Sequence, residues 1–517
     1  MRENDRGNEA SGNGLPGFEK VQGERADAPS PRTDPKPRLI PVNRKQMRIV
    51  PVDVERLIPD DHEARAIWEL VGRLDLAPYY QEIASVEGEG GRPAYDPHML
   101  MSLWIYGYRK GIGSARELAR RTEYDPAFQW LTGFEIVNYH TLSDFRISHK
   151  EFLDQIFIHV LGVMSAEGLI TLERTTQDGT KIKACAGTGS FRREATLAAH
   201  LEAAKEQLSL LQGLEEETTL REAKAHLRAA KQREERLDRA FAELKKVQAK
   251  AGAKGRVSIT DPDARIMKQS DGGYAPSSNL QISADAAHDI IVAHAVSQHP
   301  EDFKELLPAV ERIEDATGRS PLQVIADGGY TTRENIVAMA EKHVDFIGSF
   351  EGRTPSHPGQ CISRGIDEAF LPDRFTYDPC IGAYTCPQGK LLHSRSTQRR
   401  AGKTRVTFSA RRGDCRVCPS KEKCCPQGMR RSIVRAIDDP AVVAFIEKMR
   451  TGEAKEIYKT RAPTAEFPHA WIKEKIGLRQ FRLRGLLKVG MEALWACLTY
   501  NIQQWIRLSW RPRLQGG

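Results

Sequence analysis

Pro321–His343 reads PLQVIADGGYTTRENIVAMAEKH, and its pattern decides the fold class. Leu322 to Ala326 is a short apolar run of strand length, Asp327 closes it, and Gly328-Gly329 forms a turn. A helix follows the turn, and VDFIGSF reads as another strand after it. A strand, a turn carrying an acid, a helix and a strand again form the unit of an α/β sheet.

Working upstream, SNLQISADAAHDIIVAHAVS holds two strand-like runs, Leu280 to Ala284 and Ile290 to Val296, joined around His288-Asp289. A helix is expected from Asp302 to Ala316. Earlier still, Thr171 to Gln177 reads as a strand that Asp178-Gly179 punctuates, with Lys181 and Lys183 beyond it. Between these β segments, Leu197, Leu201, Ala204, Leu208 and Leu211 step by fours and threes. After Gly213 the pattern resumes at Leu220, Ala223, Leu227 and Ala230, then at Leu237, Phe241 and Leu244. Residues 192–250 are therefore expected as an inserted helical hairpin with solvated charged faces, suited to oligomerisation.

From Asp61 to Gly168 the pattern is helical. Asp96 and Pro97 open an apolar helix, Ser114 caps SARELARRT, and Asp125-Pro126 opens a third. Thr141 or Ser143 is expected to start LSDFRISHKEFL. Residues 46–168 thus read as a helical domain, either a DNA-binding bundle of the helix-turn-helix kind or a packing domain. Residues 1–45 are polar, rich in Gly and Pro, and expected to be disordered.

The chain of 517 residues carries a formal charge of +8, unevenly spread. From Arg461 onward, ten Lys or Arg face Glu466, Glu474 and Glu492; Lys390 to Arg416 holds nine cations against Asp414. Such surpluses point to a polyanion, most often nucleic acid. No run of eighteen apolar residues exists to span a membrane, and the start lacks a secretory h-region. A cytoplasmic location follows as an expectation. Nine cysteines then read as reduced thiols or metal ligands. CRVCPSKEKCC contains one CxxC, and Cys386-Pro387-Gln388-Gly389 resembles half of another. Cys386, Cys415, Cys418 and Cys424 are candidate ligands of a structural zinc ion within a basic, cysteine-rich insertion at 351–429; free thiols are the alternative.

The densest basic stretch, Ala465–Gly485, reads AEFPHAWIKEKIGLRQFRLRG. As a helix it sets Glu466 and Lys473 two turns apart on one face, with Pro468 in the first turn and Glu474 spent on Lys473 and Lys475. An acid heading a cationic surface suits metal binding beside phosphates held by cations. The alternative is a surface helix whose glutamate pairs with its neighbours.

Taken in order, DGTKIKA, DPDARIMKQSDGGY, ADGGYTTREN and AEFPHAWIKEKIGLRQFRLRG resemble the successive blocks of bacterial DDE insertion-sequence transposases. GRPAYDPHMLMSLWIYGYRKGIGSARELARR and YHTLSDFR resemble the helical domain that precedes that core. Tyr458, Arg461, Glu466 and Lys473 resemble a Tyr-Arg-Glu-Lys signature, with four residues instead of three between Arg461 and Glu466. The resemblance spans residues 50–510 and implies a ribonuclease-H-like mixed sheet built from 169–350 and 430–510. It implies catalytic, metal-binding carboxylates at Asp178, Asp327 and Glu466, with Mg²⁺ or Mn²⁺ as cofactor. Arg461, Lys473, Lys475, Arg479, Arg482 and Arg484 are the expected DNA-binding cations. The implied partners are double-stranded DNA, as transposon ends and target, and a second copy of the chain as a homodimer near the nucleoid. The implied activity is strand cleavage and strand transfer; a nuclease without strand transfer and a non-catalytic, domesticated DNA-binding protein remain the alternatives.

Overall fold

The computed structural model describes residues 44–45, 47, 49, 51–85, 93–215, 221–350, 358–400, 403–437 and 439–516. Two units divide the chain, Met1–Val52 and Asp53–Gly517. The expected disordered tail over 1–45 lies almost wholly outside the described residues.

Seven helices come first: α1 (Glu63–Gly72), α2 (Ala77–Gln81), α3 (Pro97–Arg109), α4 (Ala115–Tyr124), α5 (Pro126–Thr132), α6 (Tyr139–Ile147) and α7 (Lys150–Ala166). Their starts follow side-chain capping. Asp96 accepts the His98 N–H at 2.8 Å with Pro97 at the first helical position, and Asp125 accepts the Ala127 N–H at 3.1 Å. The single helix expected from Thr141 or Ser143 is two. Asn138 caps α6 three residues earlier than the nearer candidate, and His149, at φ 60°, breaks the chain before α7.

β1 (Arg174–Lys183) is the middle strand of the main sheet. Asp178-Gly179 was expected to end this strand, yet β1 runs on through them to Lys183 because both pair across to the next strand. The chain then passes through the two-stranded ladder β2 (Phe191–Arg192) and β3 (Val257–Ser258). Between them rise α8 (Glu194–Glu215) and α9 (Arg221–Ala251), which run antiparallel: Leu197, Leu201 and Ala204 pack on Leu237, Ala240 and Leu244 in a core of their own.

β4 (Arg265–Lys268), β5 (Tyr274–Asp285) and β6 (Ile290–Ser297) follow, then α10 (Leu306–Thr317), β7 (Gln323–Ala326), α11 (Arg333–Glu341) and β8 (Asp345–Gly348). The sheet order is β6-β5-β1-β7-β8, with β4 also on the free side of β5. β5 is antiparallel to β1 and β6 to β5, whereas β7 runs parallel to β1 and β8 parallel to β7.

Beyond α12 (Pro358–Ser363) lies a second sheet. β9 (Thr376–Asp378), β10 (Ala383–Thr385), β11 (Leu391–Arg400), β12 (Lys403–Ala410) and β13 (Ser432–Ile437) form an antiparallel meander around Phe370, Phe375, Leu392, Phe408 and Ile433. The short helices α13 (Arg412–Arg416) and α14 (Lys421–Cys424) sit between its last two strands in the chain.

The helices α15 (Pro440–Arg450), α16 (Gly452–Lys459), α17 (Arg461–Glu474) and α18 (Leu486–Trp505) come next, and a π-helical turn (Ile506–Trp510) leads from α18 into α19 (Arg511–Gly516). α15 covers the β7–β8 edge, with Phe445 stacked on Phe346. α18 and α3 are buried nearly all round, as central helices must be. Trp495 of α18 stacks on Tyr108 of α3 and meets Trp104. The same core takes in Leu280, Ile282 and Ile291 of the sheet and Leu153 and Val160 of α7. The expected boundaries at 168 and 430 therefore fall within one compact unit. Asn501 of α18 closes the β6 edge as a strand would: it accepts the Ile291 N–H at 2.9 Å and donates to the Ile291 carbonyl at 2.8 Å.

Candidate active site

The parallel register of β1 and β7 brings two acids together. Gln177 pairs with Ala326 at the last position of the ladder, so one further step along both strands sets Asp178 beside Asp327. Neighbouring strands lie about 4.8 Å apart. Each carboxylate is held by a nearby backbone amide: Asp178, within β1, accepts the Gly179 N–H at 2.9 Å, and Asp327, at the turn after β7, accepts that of Gly329 at 2.8 Å. Both are half-buried, and neither is in an ion pair among the described residues. Burial, and then the nearby carboxylates of Asp327 and Asp302, push the Asp178 carboxyl up to about 6, against the Gly179 amide and the Arg461 guanidinium. Two half-buried oxygen donors that stand in no ion pair among the described residues form a donor set suited to a hard divalent cation.

α17 covers the face of β1 that carries Asp178. Side chains two apart on a strand share a face, and Lys473 donates to Thr180 Oγ1 on that face. Pro468 does not lie in the first turn as expected. The helix begins at Arg461, so Pro468 sits in its interior, held there because Ala465, Pro468, His469 and Ile472 form the buried stripe. Glu466 lies one turn before His469 and two before Lys473, and its side chain is exposed, with no hydrogen bond or ion pair among the described residues. The structure thus pairs Asp178 with Asp327 and leaves Glu466 outside that pair. Among the described residues no three His, Cys, Asp or Glu side chains stand close enough to hold a metal ion.

The expected cations divide into two groups. Lys473 is half-buried, and burial lowers its ammonium below the usual lysine range, opposed by Asp178. Arg461 is half-buried as well, near enough to act on Asp178. Lys475, Arg479, Arg482 and Arg484 are exposed on the loop after α17. That loop is pinned to the sheet: Phe481 donates its N–H to the Lys183 carbonyl at 2.8 Å, and buried Glu492 accepts the N–H groups of Arg482 and Leu483 at 3.0 Å each. Glu474 is not spent on the adjacent lysines but pairs with Arg479. Beside the end of β8, a cleft of about 770 Å³ is lined by Arg450, Lys455, Tyr458 and Lys459.

Cys386, Cys415, Cys418 and Cys424 all line one small cavity of about 30 Å³ between the meander and α14, together with Cys425. The Lys390 N–H reaches Cys386 Sγ at 3.2 Å and the Arg431 N–H reaches Cys415 Sγ at 3.4 Å. Burial pushes the Cys424 thiol up to about 12, and the neighbouring thiols add to that.

Two family models match this chain. One, described as a transposase domain (DUF772), matches residues 52–148, which cover α1 to α6. The other, described as a transposase DDE domain, matches residues 385–506, from the cysteine-rich meander through α18. Together they support a DDE transposase, and with it a polynucleotidyl transferase. The DDE match contains Glu466 and Lys473 but neither aspartate. No curated protein matches the chain.

Sequence reasoning passed over several residues around the paired aspartates. His469 is buried on α17, and burial pushes its imidazole down to about 4, with Lys473 adding to that and Asp178 opposing it. Asp302 was placed in a helix but stands in the loop before it, accepting from Asn279 and Gln281 at 2.7 Å each. The available signal was the alternation Ser277, Asn279, Gln281, Ser283 along β5, which marks a polar strand face. All four are buried.

Proposed function

We propose that this chain is a bacterial insertion-sequence transposase that cuts DNA at the element's ends and joins it to a target on a ribonuclease-H-like sheet. The observation that carries the reading is the in-register pairing of Asp178 with Asp327 beneath the helix that presents Glu466 and Lys473. The strand order β6-β5-β1-β7-β8, three antiparallel neighbours followed by two parallel ones, supports that sheet type. In this reading Asp178, Asp327 and Glu466 hold Mg²⁺ or Mn²⁺. Bound divalent ions supply charge stabilisation to the attacking and leaving oxygens of an in-line phosphoryl transfer.

The chain's own groups do the rest. Asp178 and Asp327 are fixed by backbone amides, so little ordering is needed when a cation arrives. Lys473, tethered at Thr180, directs a positive charge to the carboxylate face, where a phosphodiester would be held. The exposed Lys475, Arg479, Arg482 and Arg484, with the cleft at Arg450, Lys455 and Lys459, neutralise phosphates and fix the strand without reading bases. Cleavage adds water across the scissile phosphodiester and leaves a 3′-hydroxyl; that hydroxyl then attacks a target phosphodiester, displacing an equivalent alcohol. The homodimer expected of such an enzyme brings two ends together. For the meander we propose a structural zinc ion held by Cys386, Cys415, Cys418 and Cys424, which line one cavity with two amides aimed at sulfur but whose side chains must draw closer to share an ion.

The test is a joining assay. Linear DNA ending in the inverted repeats that flank the gene is incubated with protein, Mg²⁺ and a supercoiled plasmid. Covalent joining of the free 3′ ends to plasmid is the expected result. Nicking without joining would favour the nuclease alternative, and binding with neither would favour the non-catalytic one.

A further inference from the structure

Asp178 and Asp327 are tied together from behind, on the face of the sheet opposite α17. Gln177, the residue before Asp178, points to that opposite face. Its amide donates to Gln281 Oε1 at 2.7 Å. Tyr330, three residues after Asp327 and in the same turn, donates its hydroxyl to that same oxygen at 2.5 Å. Gln281 Nε2 in turn donates to Asp302 Oδ1 at 2.7 Å. One buried amide therefore holds the segments bearing both aspartates and is itself anchored to a third, charged group. Gln177, Gln281 and Tyr330 are each at most 2 % exposed, so water cannot replace these bonds.

Gly179 follows from the same arrangement. It faces Gln281 in the β1–β5 register, and a Cβ there would stand 2.3 Å from Gln281 Nε2 and 2.7 Å from Asp302 Oδ1. Its φ is not in the left-handed region, so space and not backbone freedom selects glycine after the aspartate.

We propose that Gln281 is a positioning residue that sets the separation of Asp178 and Asp327 and thereby the affinity of that pair for a divalent cation. This rests on the reading above that the two aspartates bind the metal. Outer partners of metal ligands typically govern affinity by about 10- to 100-fold. Both halves of the amide are engaged: Oε1 accepts two bonds, and Nε2 donates to Asp302, which also accepts from Asn279 and Lys181. Gln281→Glu keeps the shape but sets a carboxylate against Asp302. The double variant Gln281→Glu with Asp302→Asn restores the pairing, with the new amide donating to the new carboxylate.

The measurement is Mn²⁺ binding to the purified full chain without DNA, followed by the electron-spin resonance of free Mn²⁺. Wild type should bind and Asp178→Asn should not. Gln281→Glu should weaken binding by at least about tenfold, and the double variant should recover to within about threefold of wild type. Gly179→Ala, which removes no donor or acceptor and only pushes the Gln281 amide, should weaken binding in the same direction and serves if Gln281→Glu does not fold. A folded Gln281→Glu with wild-type affinity, or a double variant no better than the single, overturns the inference while the Asp178→Asn loss leaves the metal site standing. Equal binding by wild type and Asp178→Asn overturns the metal site and this inference together.

Discussion

Lys473 spends its charge inward, on Thr180 and toward Asp178, whereas Lys475 two residues on faces solvent. The two lysines should therefore separate catalysis from binding. Lys475→Ala is expected to flatten the salt dependence of DNA binding by roughly one unit of slope. Lys473→Met should leave that slope close to wild type and lower the cleavage rate instead. Binding across a salt series and cleavage under one condition check both, and equal flattening by the two variants would return Lys473 to the general phosphate-binding surface. At this scale the placing of Asp178 and Asp327 on two extended segments followed from local signals, although the Asp-Gly pair marks a turn only at Asp327. Gln281, Asp302 and the reason for Gly179 were not legible, since their meaning lies in cross-strand register and in bonds that span 21 and 104 residues of sequence.

Among the elements, caps and periodicity carried well into structure. The leucine spacing of 192–250 reads directly as α8 and α9, and Asp96, Ser114 and Asp125 each begin the helix that their residue type favours. What failed was local rules applied where tertiary burial decides. Pro468 marks a first turn by propensity, but a helix with a buried stripe on both sides of it absorbs the lost N–H. Asp178-Gly179 marks a strand end, but pairing with β5 keeps the chain extended. The edge of β6 depends on one side chain. Asn501→Leu removes both bonds to Ile291 at a fully buried position, leaving a backbone N–H and a carbonyl unmatched. A loss of about 2–6 kcal/mol in unfolding free energy is expected, at roughly 1–3 kcal/mol for each of the two unmet groups. A denaturant midpoint unchanged from wild type would show that the β6 edge does not need this contact.

For the whole molecule, α18 is the member on which the N-terminal helices and the sheet both rest. A fragment of residues 53–168 lacks Trp495, Leu498 and Trp505 and should not fold alone; a cooperative thermal transition from that fragment would contradict this. The meander has its own core, and its stability should depend on metal. Zinc is expected near one equivalent per chain, with Cys386, Cys415, Cys418 and Cys424 protected from thiol reagents until a chelator is added. Absence of zinc with every thiol freely titratable would leave that cavity as packed sulfur.

Asp178, Asp327 and Glu466 are proposed to serve one metal-dependent active site. The most direct test of this is cleavage of end-bearing DNA with Mg²⁺ by wild type and by Asp178→Asn, Asp327→Asn and Glu466→Gln in parallel, with DNA binding measured for each. All three variants should bind DNA as wild type does, because phosphate affinity resides in the cations. All three should lose cleavage by orders of magnitude. Near-normal cleavage by Glu466→Gln, with the two aspartate variants dead, would contradict the account and make α17 a cationic cover over a two-acid site.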